Sequence, residues 1–352
     1  MKKHILFFTL VSFITLISGC TATNNNNNNN NNNSSEAQGK VQEYFPIKEN
    51  VKYVYEGKGN EYAAYDVYID YIDYTSGNKV QQRTNNGGSE IVKVLEIKDG
   101  KLTKIFFKGE IYYRENFLDV DEKENEILLM EPLVKGTTWT LKDSSVRTIT
   151  NTSADITTPS GNYKAIEVTT DSSNGKTVDY YARNIGLVKS VFNSEGGEIS
   201  SSLSKIEENA LFTQNINFYY PDIDESKIVY QNKEVSFRTN ETTKQVLEQA
   251  YKDLIKDKIG DSVTTNTKVN SLYLKDNIVY LDLDNTFLKE INAGAYYEKL
   301  IVQSIVNTLG QYYNTDKVVF TLDNKPYESG HISMEKDGYF KVDFDNTVEA
   351  TQ

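Results

Sequence analysis

Alternation of apolar and polar side chains is the strongest pattern in the first half of the chain. In the stretch YAAYDVYIDYIDY, the odd-numbered positions from Tyr65 to Tyr71 are apolar or aromatic, and Asp66, Tyr68 and Asp70 lie between them. A period of two places the two sets on opposite faces of a β-strand. This stretch is therefore predicted to be a half-exposed strand with Asp70 on its polar face.

Similar segments recur through this half and are separated by turn sequences. EIVKVLEI and KLTKIFF flank Asp99-Gly100, a dipeptide that suits the type I′ turn of a β-hairpin. The sequence of this half contains no long apolar stripe of helical period. We therefore expect one large, curved antiparallel sheet, either a half-barrel or a sandwich. Its other predicted strands are GEIYYR, EILLM, TWTL, YKAIEVTT, TVDYYA and LVKSVF.

The pattern changes to a helical period in the second half of the chain. Thr242 and Gln245 have the spacing of a capping box, and the apolar positions after them form one stripe as far as Ile255. A second stripe follows in AYYEKLIVQSIVNTLGQYY, where the small residues Ser304 and Thr308 permit close approach to a sheet. Strands are predicted around these helices in INFYYPD, IVYQNKEVSFR, KVVFTLD and the hairpin NSLYLKDNIVYLDLD.

These patterns predict an α+β protein with two folded domains. An N-terminal curved antiparallel β domain, residues 44–207, is followed by a small α+β domain, residues 215–346, in which two helices pack on a mixed sheet. A folded length of roughly 300 residues exceeds what one hydrophobic core usually serves, which also favours two domains.

The start of the chain has the layout of an export signal. A short basic head precedes an apolar run that ends at Ile17 and is shorter than the ~20 residues of a transmembrane helix. Leu-Ile-Ser-Gly-Cys then ends at Cys20, the only cysteine. This pentapeptide resembles the lipobox of bacterial lipoproteins, which implies removal of residues 1–19 and attachment of a diacylglycerol to Cys20. A free cysteine at the end of a signal peptide is the alternative.

Residues 20–43 contain the lipidation site and a run of ten asparagines. Because such a run cannot bury enough apolar surface to offset chain entropy, we expect a disordered tether. A flexible chain of about 20 residues spans roughly 25 Å, so the tether would hold the first folded element at that distance from the lipid. A prion-like aggregation tract is the alternative for an asparagine run.

Charge and composition exclude several classes of function. The net charge is −12, and it becomes −14 when residues 1–19 are removed with Lys2 and Lys3. A net acidic chain without a basic cluster repels phosphates, so nucleic-acid binding is not expected. With Cys20 lipidated no thiol remains, and His331 is the single histidine after residue 19, which argues against disulfides and zinc sites. We expect no cofactor.

A more specific pattern extends from Val279 to Ile332. It combines the apolar strand VYLDLD, the loop NTF, the helical segment QSIVNTL and the segment VVFTLDNKPYES. These segments resemble the latter half of a GerMN domain, a module of sporulation and spore germination proteins, and INFYYPD resembles its beginning. The resemblance implies a non-enzymatic domain, similar to ring-building modules of membrane-anchored complexes between the two membranes of a developing spore.

The β domain carries a looser resemblance. The pieces YFPIKENVKYVYEG, PLVKGTTW and YYARNIGLVKS are similar to segments of exported bacterial lipoproteins with curved-sheet domains. This likeness implies a fold and a location, and no activity.

One motif favours a different chemistry. Asp282-Leu-Asp284-Asn-Thr286 resembles the first motif of haloacid-dehalogenase-type phosphatases, in which Asp282 would be the nucleophile, Asp284 the general acid, and Mg²⁺ would join them. That motif follows a parallel strand, whereas NSLYLKDN predicts an antiparallel hairpin here, and no later lysine and acidic-pair motifs follow. The alternative interpretation leaves both aspartates facing water at a strand end.

Three functional hypotheses follow. The first is a non-enzymatic lipoprotein, anchored through Cys20 on the extracytoplasmic face of the cell membrane, whose GerMN-like domain contacts an envelope or spore-assembly protein or further copies of itself in sporulation or germination. The alternative is a cell-surface lipoprotein that binds a ligand in the curved sheet. The third is a metal-dependent phosphatase acting through Asp282 and Asp284.

Overall fold

The computed structural model describes residues 39–75, 78–121, 124–222, 226–256 and 265–350. The predicted signal peptide, Cys20 and the asparagine run lie outside these residues. The first described element is the short helix α1 (Val41–Tyr44), whose Val41 is fully buried. The Val41 amide donates a hydrogen bond to Glu131 Oε1 at 2.9 Å, so the chain is packed against the β-sheet from this point.

The first half of the described chain forms one 12-stranded sheet in which every pair of neighbours is antiparallel. The order across the sheet is β6-β5-β4-β3-β2-β1-β12-β11-β10-β9-β8-β7. The predicted large antiparallel sheet is therefore confirmed. Its strands are β1 (Val51–Lys58), β2 (Tyr65–Asp73), β3 (Lys79–Asn85), β4 (Glu90–Lys98), β5 (Lys101–Gly109), β6 (Glu126–Met130), β7 (Thr138–Thr140), β8 (Val146–Thr158), β9 (Gly161–Ser172), β10 (Gly175–Ala182), β11 (Gly186–Ser194) and β12 (Gly197–Glu208).

The sheet curls until its two end strands meet through side chains. The indole Nε1 of Trp139 in β7 donates to the carbonyl of Ile127 in β6 at 3.0 Å, and Arg147 Nη2 in β8 lies 2.6 Å from Glu126 Oε1. The concave face is filled largely by its own apolar side chains, among them Val67, Leu95 and Val168. Because the two ends of the sheet meet at this point, the Trp139 side chain is buried.

The hairpin at Asp99-Gly100 forms as predicted, with positive φ at both residues, as a type I′ turn requires. The predicted strand GEIYYR is wrong beyond Gly109, where β5 ends and the chain leaves the sheet. Arg83 explains this departure. Its guanidinium donates hydrogen bonds to the carbonyls of Ile111 at 2.6 Å and Tyr113 at 2.9 Å, so these backbone groups are satisfied without a neighbouring strand.

The second half of the described chain contains two smaller sheets and three helices, so the α+β expectation is confirmed. One sheet has the order β13-β14-β20, and the other has β15-β16-β17-β18 with β19 also paired to β17. Both are mixed, since β14 runs parallel to β20 and β16 runs parallel to β17. The elements are β13 (Phe212–Asp222), β14 (Lys227–Phe237), α2 (Thr243–Lys256), β15 (Val269–Lys275), β16 (Ile278–Leu283), α3 (Thr286–Ile291), α4 (Ala295–Tyr313), β17 (Lys317–Leu322), β18 (Lys325–Pro326), β19 (Phe340–Lys341) and β20 (Thr347–Glu349).

The two long helices begin and pack for reasons visible in the sequence. The Thr242 amide donates to Gln245 Oε1 at 3.1 Å and the Gln245 amide donates to Thr242 Oγ1 at 3.3 Å, which confirms the capping box of α2. In α4, Thr308 Oγ1 accepts from the Tyr219 amide of β13 at 2.9 Å, which confirms the predicted close approach. The α4 core from Leu300 to Gly310 is buried on nearly all sides, not on one stripe, because both small sheets contact it.

One hydrophobic cluster joins the two halves of the molecule. It contains Val92 and Phe106 of the large sheet together with Phe237, Leu247 and Ile305 of the second half. The outer face of β4 and β5 is therefore covered by the α+β part, and residues 37–352 form one compact unit. In the part of the chain that the structure describes, no helix has the length and apolarity to cross a bilayer.

Candidate functional site

Asp282 lies inside the second half, not at its surface. It is only 3 % exposed, so the expectation that it faces water is wrong. Its carboxylate accepts hydrogen bonds from Thr321 Oγ1 at 2.6 Å, the Asn324 amide at 2.8 Å and Asn270 Nδ2 at 2.9 Å. The position of β16 between β15 and β17 contributes to this burial, because both edges of the strand are paired.

The surroundings of Asp282 do not suit the phosphatase mechanism. β15 and β16 form the antiparallel hairpin that the sequence predicts, and all three donors around Asp282 hold its carboxylate in place. Asp284 has different partners: it accepts from the Lys268 amide and from Thr286 Oγ1, both at 3.0 Å. Among the described residues, no group of three His, Cys, Asp or Glu side chains could hold a metal ion.

The single histidine of the described chain belongs to a second buried acidic group. His331 Nδ1 lies 2.8 Å from Glu298 Oε2, and the Tyr327 hydroxyl donates to Glu298 Oε1 at 2.8 Å. Hydrogen bonds from Ser329, His331 and Tyr327 outweigh the effect of burial and lower the pKa of Glu298. This arrangement ties the loop after β18 to α4, which is a structural role.

A buried ionic cluster at the junction of the two halves was missed by the sequence reasoning. Asp70, Arg83 and Arg114 are 0 %, 0 % and 1 % exposed. Asp70 Oδ2 lies 3.1 Å from Arg83 Nε, and Asp70 Oδ1 lies 3.0 Å from Arg114 Nη1. Glu90 Oε2, 2.7 Å from Arg83 Nη1, supplies the second negative charge. The placement of Asp70 on an exposed face is therefore wrong.

A β-bulge gives Asp70 its position. The register between β2 and β3 shifts between Ile69 and Tyr71, which frees backbone groups of β2 from the ladder. The segment after β14 occupies them: the Asn240 amide donates to the Asp70 carbonyl at 3.0 Å, and the Ile72 amide donates to Asn240 Oδ1 at 2.8 Å. Asp70 thus lies where the second half covers β2.

Arg114 also connects β2 to the segment after β14. Its Nη2 donates to the carbonyls of Asp70 at 2.6 Å and Arg238 at 2.8 Å, and its Nε donates to that of Glu241 at 3.2 Å. A compositional signal points to such sites, because only five of the 38 basic residues are arginines. Three of the five, Arg83, Arg114 and Arg147, are buried, and a buried site favours the planar, multidentate donor that arginine provides.

At least three cavities in the described part of the chain could hold a ligand. One of about 80 Å³ lies under the concave face of the large sheet, one of about 350 Å³ lies beside Glu126 and Arg147 where the sheet ends meet, and one of about 490 Å³ lies between the segment after β5 and the second half. In the third, burial raises the pKa of Glu115 to about 7. Drug-sized ligands usually need 300–1,000 Å³, so the space under the sheet suits a much smaller molecule.

An exposed apolar patch marks the surface of the second half. Tyr296, Phe344 and Val348 are 58 %, 43 % and 43 % exposed. They lie around one point of the fold, since the Tyr296 hydroxyl and Asn346 Nδ2 both donate to the Ser226 carbonyl. Phe344 packs on Tyr219 with ring centroids 5.5 Å apart, and Val348 follows in β20. We call these three residues the aromatic patch.

Comparison with known proteins bears on this second half. Residues 217–328 match the sequence model of the family Germane, described as "Sporulation and spore germination". A search of curated proteins finds no match to the chain.

Several solved structures are similar to parts of the chain. The first GerMN domain of the sporulation protein GerM from Bacillus subtilis is 19 % identical over 36 % of this chain and 96 % of that domain, with a TM-score of 0.27. A candidate exported protein with a YmcC-like fold from Bacteroides fragilis is 16 % identical over 47 % of this chain and 98 % of its own, with a TM-score of 0.31. A candidate lipoprotein from Clostridium perfringens is 18 % identical over 37 % of this chain and 87 % of its own, with a TM-score of 0.23.

The family match covers the strand that carries Asp282, helix α4 and the segment through Tyr327, which are the elements around which the second half is built. Residues 217–328, within the second half, are therefore a GerMN-type domain of the Germane family.

Proposed function

We propose that this protein is a lipoprotein of the extracytoplasmic face of the cell membrane, whose GerMN-type domain acts by binding an envelope or spore-assembly protein during sporulation or germination. The observation that carries the proposal is the Germane match over residues 217–328. The protein works as a contact module and not as an enzyme. The fully hydrogen-bonded Asp282 supports this, because a nucleophile must be free to reach its substrate.

Membrane attachment in this proposal comes from the start of the chain. Residues 1–19 are the signal peptide, Cys20 carries the lipid, and the tether ends before α1, which packs on the sheet from Val41 onward. Acyl chains contribute about 0.8 kcal/mol per buried methylene, so two or three of them hold a folded domain on a bilayer.

Replacing Cys20 by serine should release the protein from the membrane completely. Serine cannot form the thioether that carries the diacylglycerol, so the chain loses its lipid. The measurement is fractionation of cells and medium after labelling with radioactive palmitate. The wild-type chain should be labelled and sediment with membranes, whereas Cys20→Ser should be unlabelled. An unlabelled wild-type chain, or a Cys20→Ser chain that stays in the membrane fraction, would refute the anchor.

The aromatic patch is the proposed contact surface of the GerMN-type domain. Exposed apolar side chains that cluster are typical of protein interaction sites, and aromatic residues dominate the binding energy of such sites. Charged residues are also few at interface centres, and the three patch residues are uncharged.

A double replacement, Tyr296→Ser with Phe344→Ser, should weaken partner capture at least ~10-fold, because losing two aromatic anchors removes more than the ~1.4 kcal/mol that a factor of ten represents. The assay is crosslinking and affinity capture from sporulating cells with the full chain. Tyr62→Ser is the matched control, since Tyr62 is an exposed tyrosine of the large-sheet half. Equal recovery of every partner by the double variant would show that contacts are made elsewhere. Deleting the second half is unsuitable, because it would uncover the core shared with the large sheet.

The curved sheet supports a second candidate function, ligand binding. The observation in its favour is the cavity of about 80 Å³ under the concave face, into which polar side chains project without protein partners.

A further inference from the structure

The cavity under the large sheet combines an apolar wall with a group of polar side chains. Val67, Leu95 and Leu102 form part of the wall, and the polar members include Tyr65, Gln82, Lys93 and Tyr181. These four come from β2, β3, β4 and β10, so strands far apart in sequence place them around one space. A cavity of about 80 Å³ exceeds the ~10–15 Å³ that one water molecule needs.

The polar side chains of this cavity have no partner in the protein. None of the described residues forms a hydrogen bond or ion pair with the Lys93 ammonium, the Tyr65 and Tyr181 hydroxyls or the Gln82 amide. Gln82 and Tyr181 are buried, at 7 % and 5 % exposure. Tyr65 and Lys93 are half-buried, and the four polar groups line a space that can admit a small hydrogen-bonding molecule.

The charges around the cavity favour an anion. Lys93 interacts electrostatically with Lys104, Glu126 and Asp179. Glu126 is already paired, with Lys104 Nζ at 2.5 Å and Arg147 Nη2 at 2.6 Å. The cations Lys93, Lys104 and Arg147 therefore outnumber the acids Glu126 and Asp179. Of these three cations, Lys93 is the one without an ion pair.

The remaining acidic group is Asp179. Asp179 accepts a hydrogen bond from Ser190 Oγ at 2.6 Å, and burial raises the pKa of its carboxyl group. Burial lowers the pKa of Lys93 to about 8, which still leaves the ammonium mostly protonated at pH 7. At neutral pH the Lys93 ammonium is therefore the positively charged group that lines the cavity.

We propose that this cavity binds a small carboxylate of the size of acetate or propionate, whose oxygens accept hydrogen bonds from Lys93, Tyr65, Tyr181 and Gln82 while its alkyl group contacts the apolar wall. An inorganic anion would leave the apolar wall without a partner. The proposal deepens the second candidate function and does not depend on the contacts of the GerMN-type domain.

The first test is calorimetric titration of the full chain with acetate at pH 7, with acetamide, methylammonium and phosphate as comparison probes. Acetate should bind saturably at one site per chain and more tightly than the other three. Lys93→Met should weaken acetate at least ~10-fold, which corresponds to ~1.4 kcal/mol. Lys98→Met is the matched control, because Lys98 lies in the same strand and is exposed, and it should leave the affinity unchanged.

The second test reads Lys93 directly in the native chain and so does not depend on whether the variant folds. The ¹³Cε resonance of Lys93 is titrated with pH, without acetate and at saturating acetate. An anion that binds the ammonium form must raise the apparent pKa of Lys93, and acetate affinity must fall as pH rises through about 8. An unmoved Lys93 pKa, equal affinity in Lys93→Met, or absence of saturable binding overturns the proposal. Membrane anchoring and partner capture should be the same in Lys93→Met and wild type, so failure here is distinguishable from failure of the contact function.

Discussion

Replacing Asp70 by alanine should lower the free energy of unfolding by about 3–5 kcal/mol, the range measured when one partner of a buried ion pair is removed. The reason is the pair of guanidinium groups that Asp70 neutralises. Arg83 and Arg114 are both fully buried, and Glu90 alone would remain to offset two positive charges. A guanidinium group is not deprotonated in proteins, so both positive charges would remain.

A matched control lies in the same strand. Asp66 forms an ion pair with Lys52 at 2.7 Å, but the Asp66 side chain is 33 % exposed. Asp66→Ala should therefore change the free energy of unfolding by less than about 1 kcal/mol, as is usual for surface pairs. Urea unfolding of the two variants and the wild type gives the comparison. An Asp70→Ala chain as stable as the Asp66→Ala chain would contradict the role assigned to the cluster.

The same substitution should also loosen the junction between the two halves. The Asn240 amide donates to the Asp70 carbonyl, and Arg114 holds the carbonyls of Arg238 and Glu241. Without the Asp70 carboxylate Arg114 loses its ion pair, so amide exchange at Asn240 should accelerate more than exchange in β9 and β10, which are remote from the junction. Equal acceleration everywhere would indicate global destabilisation alone.

Making the cluster apolar should restore only part of the stability. In some proteins a buried ion cluster can be replaced by apolar residues without loss. Here the two arginines also donate to the backbone carbonyls of Ile111, Tyr113, Arg238 and Glu241. Methionine at Arg83 and Arg114 with leucine at Asp70 would leave these carbonyls unpaired, which opposes full recovery.

Replacing Asp282 by alanine should lower the free energy of unfolding by about 2–4 kcal/mol. The substitution removes the acceptor of three hydrogen bonds, from Thr321, Asn324 and Asn270, in a site that is almost closed to water. Each buried donor left unpaired costs about 1–3 kcal/mol, and local rearrangement recovers part of that.

Asp284→Ala is the control within the same hairpin. Asp284 accepts from the Lys268 amide and Thr286 Oγ1 but is partly exposed, so water can replace the lost acceptor. A loss below about 1.5 kcal/mol is expected. If Asp284→Ala were the more damaging of the two, the buried role of Asp282 would be wrong.

The same pair of positions tests the phosphatase hypothesis. Asp282→Asn keeps most of the shape of the side chain but cannot act as a nucleophile toward phosphorus. Hydrolysis of a phosphate ester by purified wild-type and Asp282→Asn chains, with Mg²⁺ present, should be equal and at background level. A wild-type turnover that Asp282→Asn abolishes would restore the enzyme hypothesis.

Local patterns predicted the elements that local physics controls. The type I′ turn at Asp99-Gly100 forms because its residues tolerate positive φ, and the capping box at Thr242 forms because both partners lie within one helical turn. β8 was not predicted, because it has polar residues at many positions and shows no clear alternation in the sequence. Its strand conformation becomes evident only from its pairing with β7 and β9. Alternation requires one wet face and one dry face, which that strand does not have throughout.

The surroundings of Asp70, Asp282 and α4 show where sequence reasoning ends. All three were assigned to a surface or a single face because an isolated strand or helix has a solvent side. In the structure the second half covers β2, the neighbours of β16 enclose Asp282, and two sheets enclose α4. Whether a polar residue is exposed depends on which element packs over it, and that element can lie more than a hundred residues away.

By itself the sequence determined the lipobox at Cys20 and the asparagine run as features to be tested, the antiparallel large sheet, the α+β second half and the likeness to a GerMN domain. These features depend on neighbouring residues, on periodicity or on a motif, and each can be recognised within continuous segments of the sequence. Only the tertiary structure decided that the sheet curls until Trp139 meets Ile127, that Arg83 and Arg114 share Asp70, and that Lys93 faces a cavity without a partner. Such contacts depend on which distant strands share a space, and residue spacing carries no information about that.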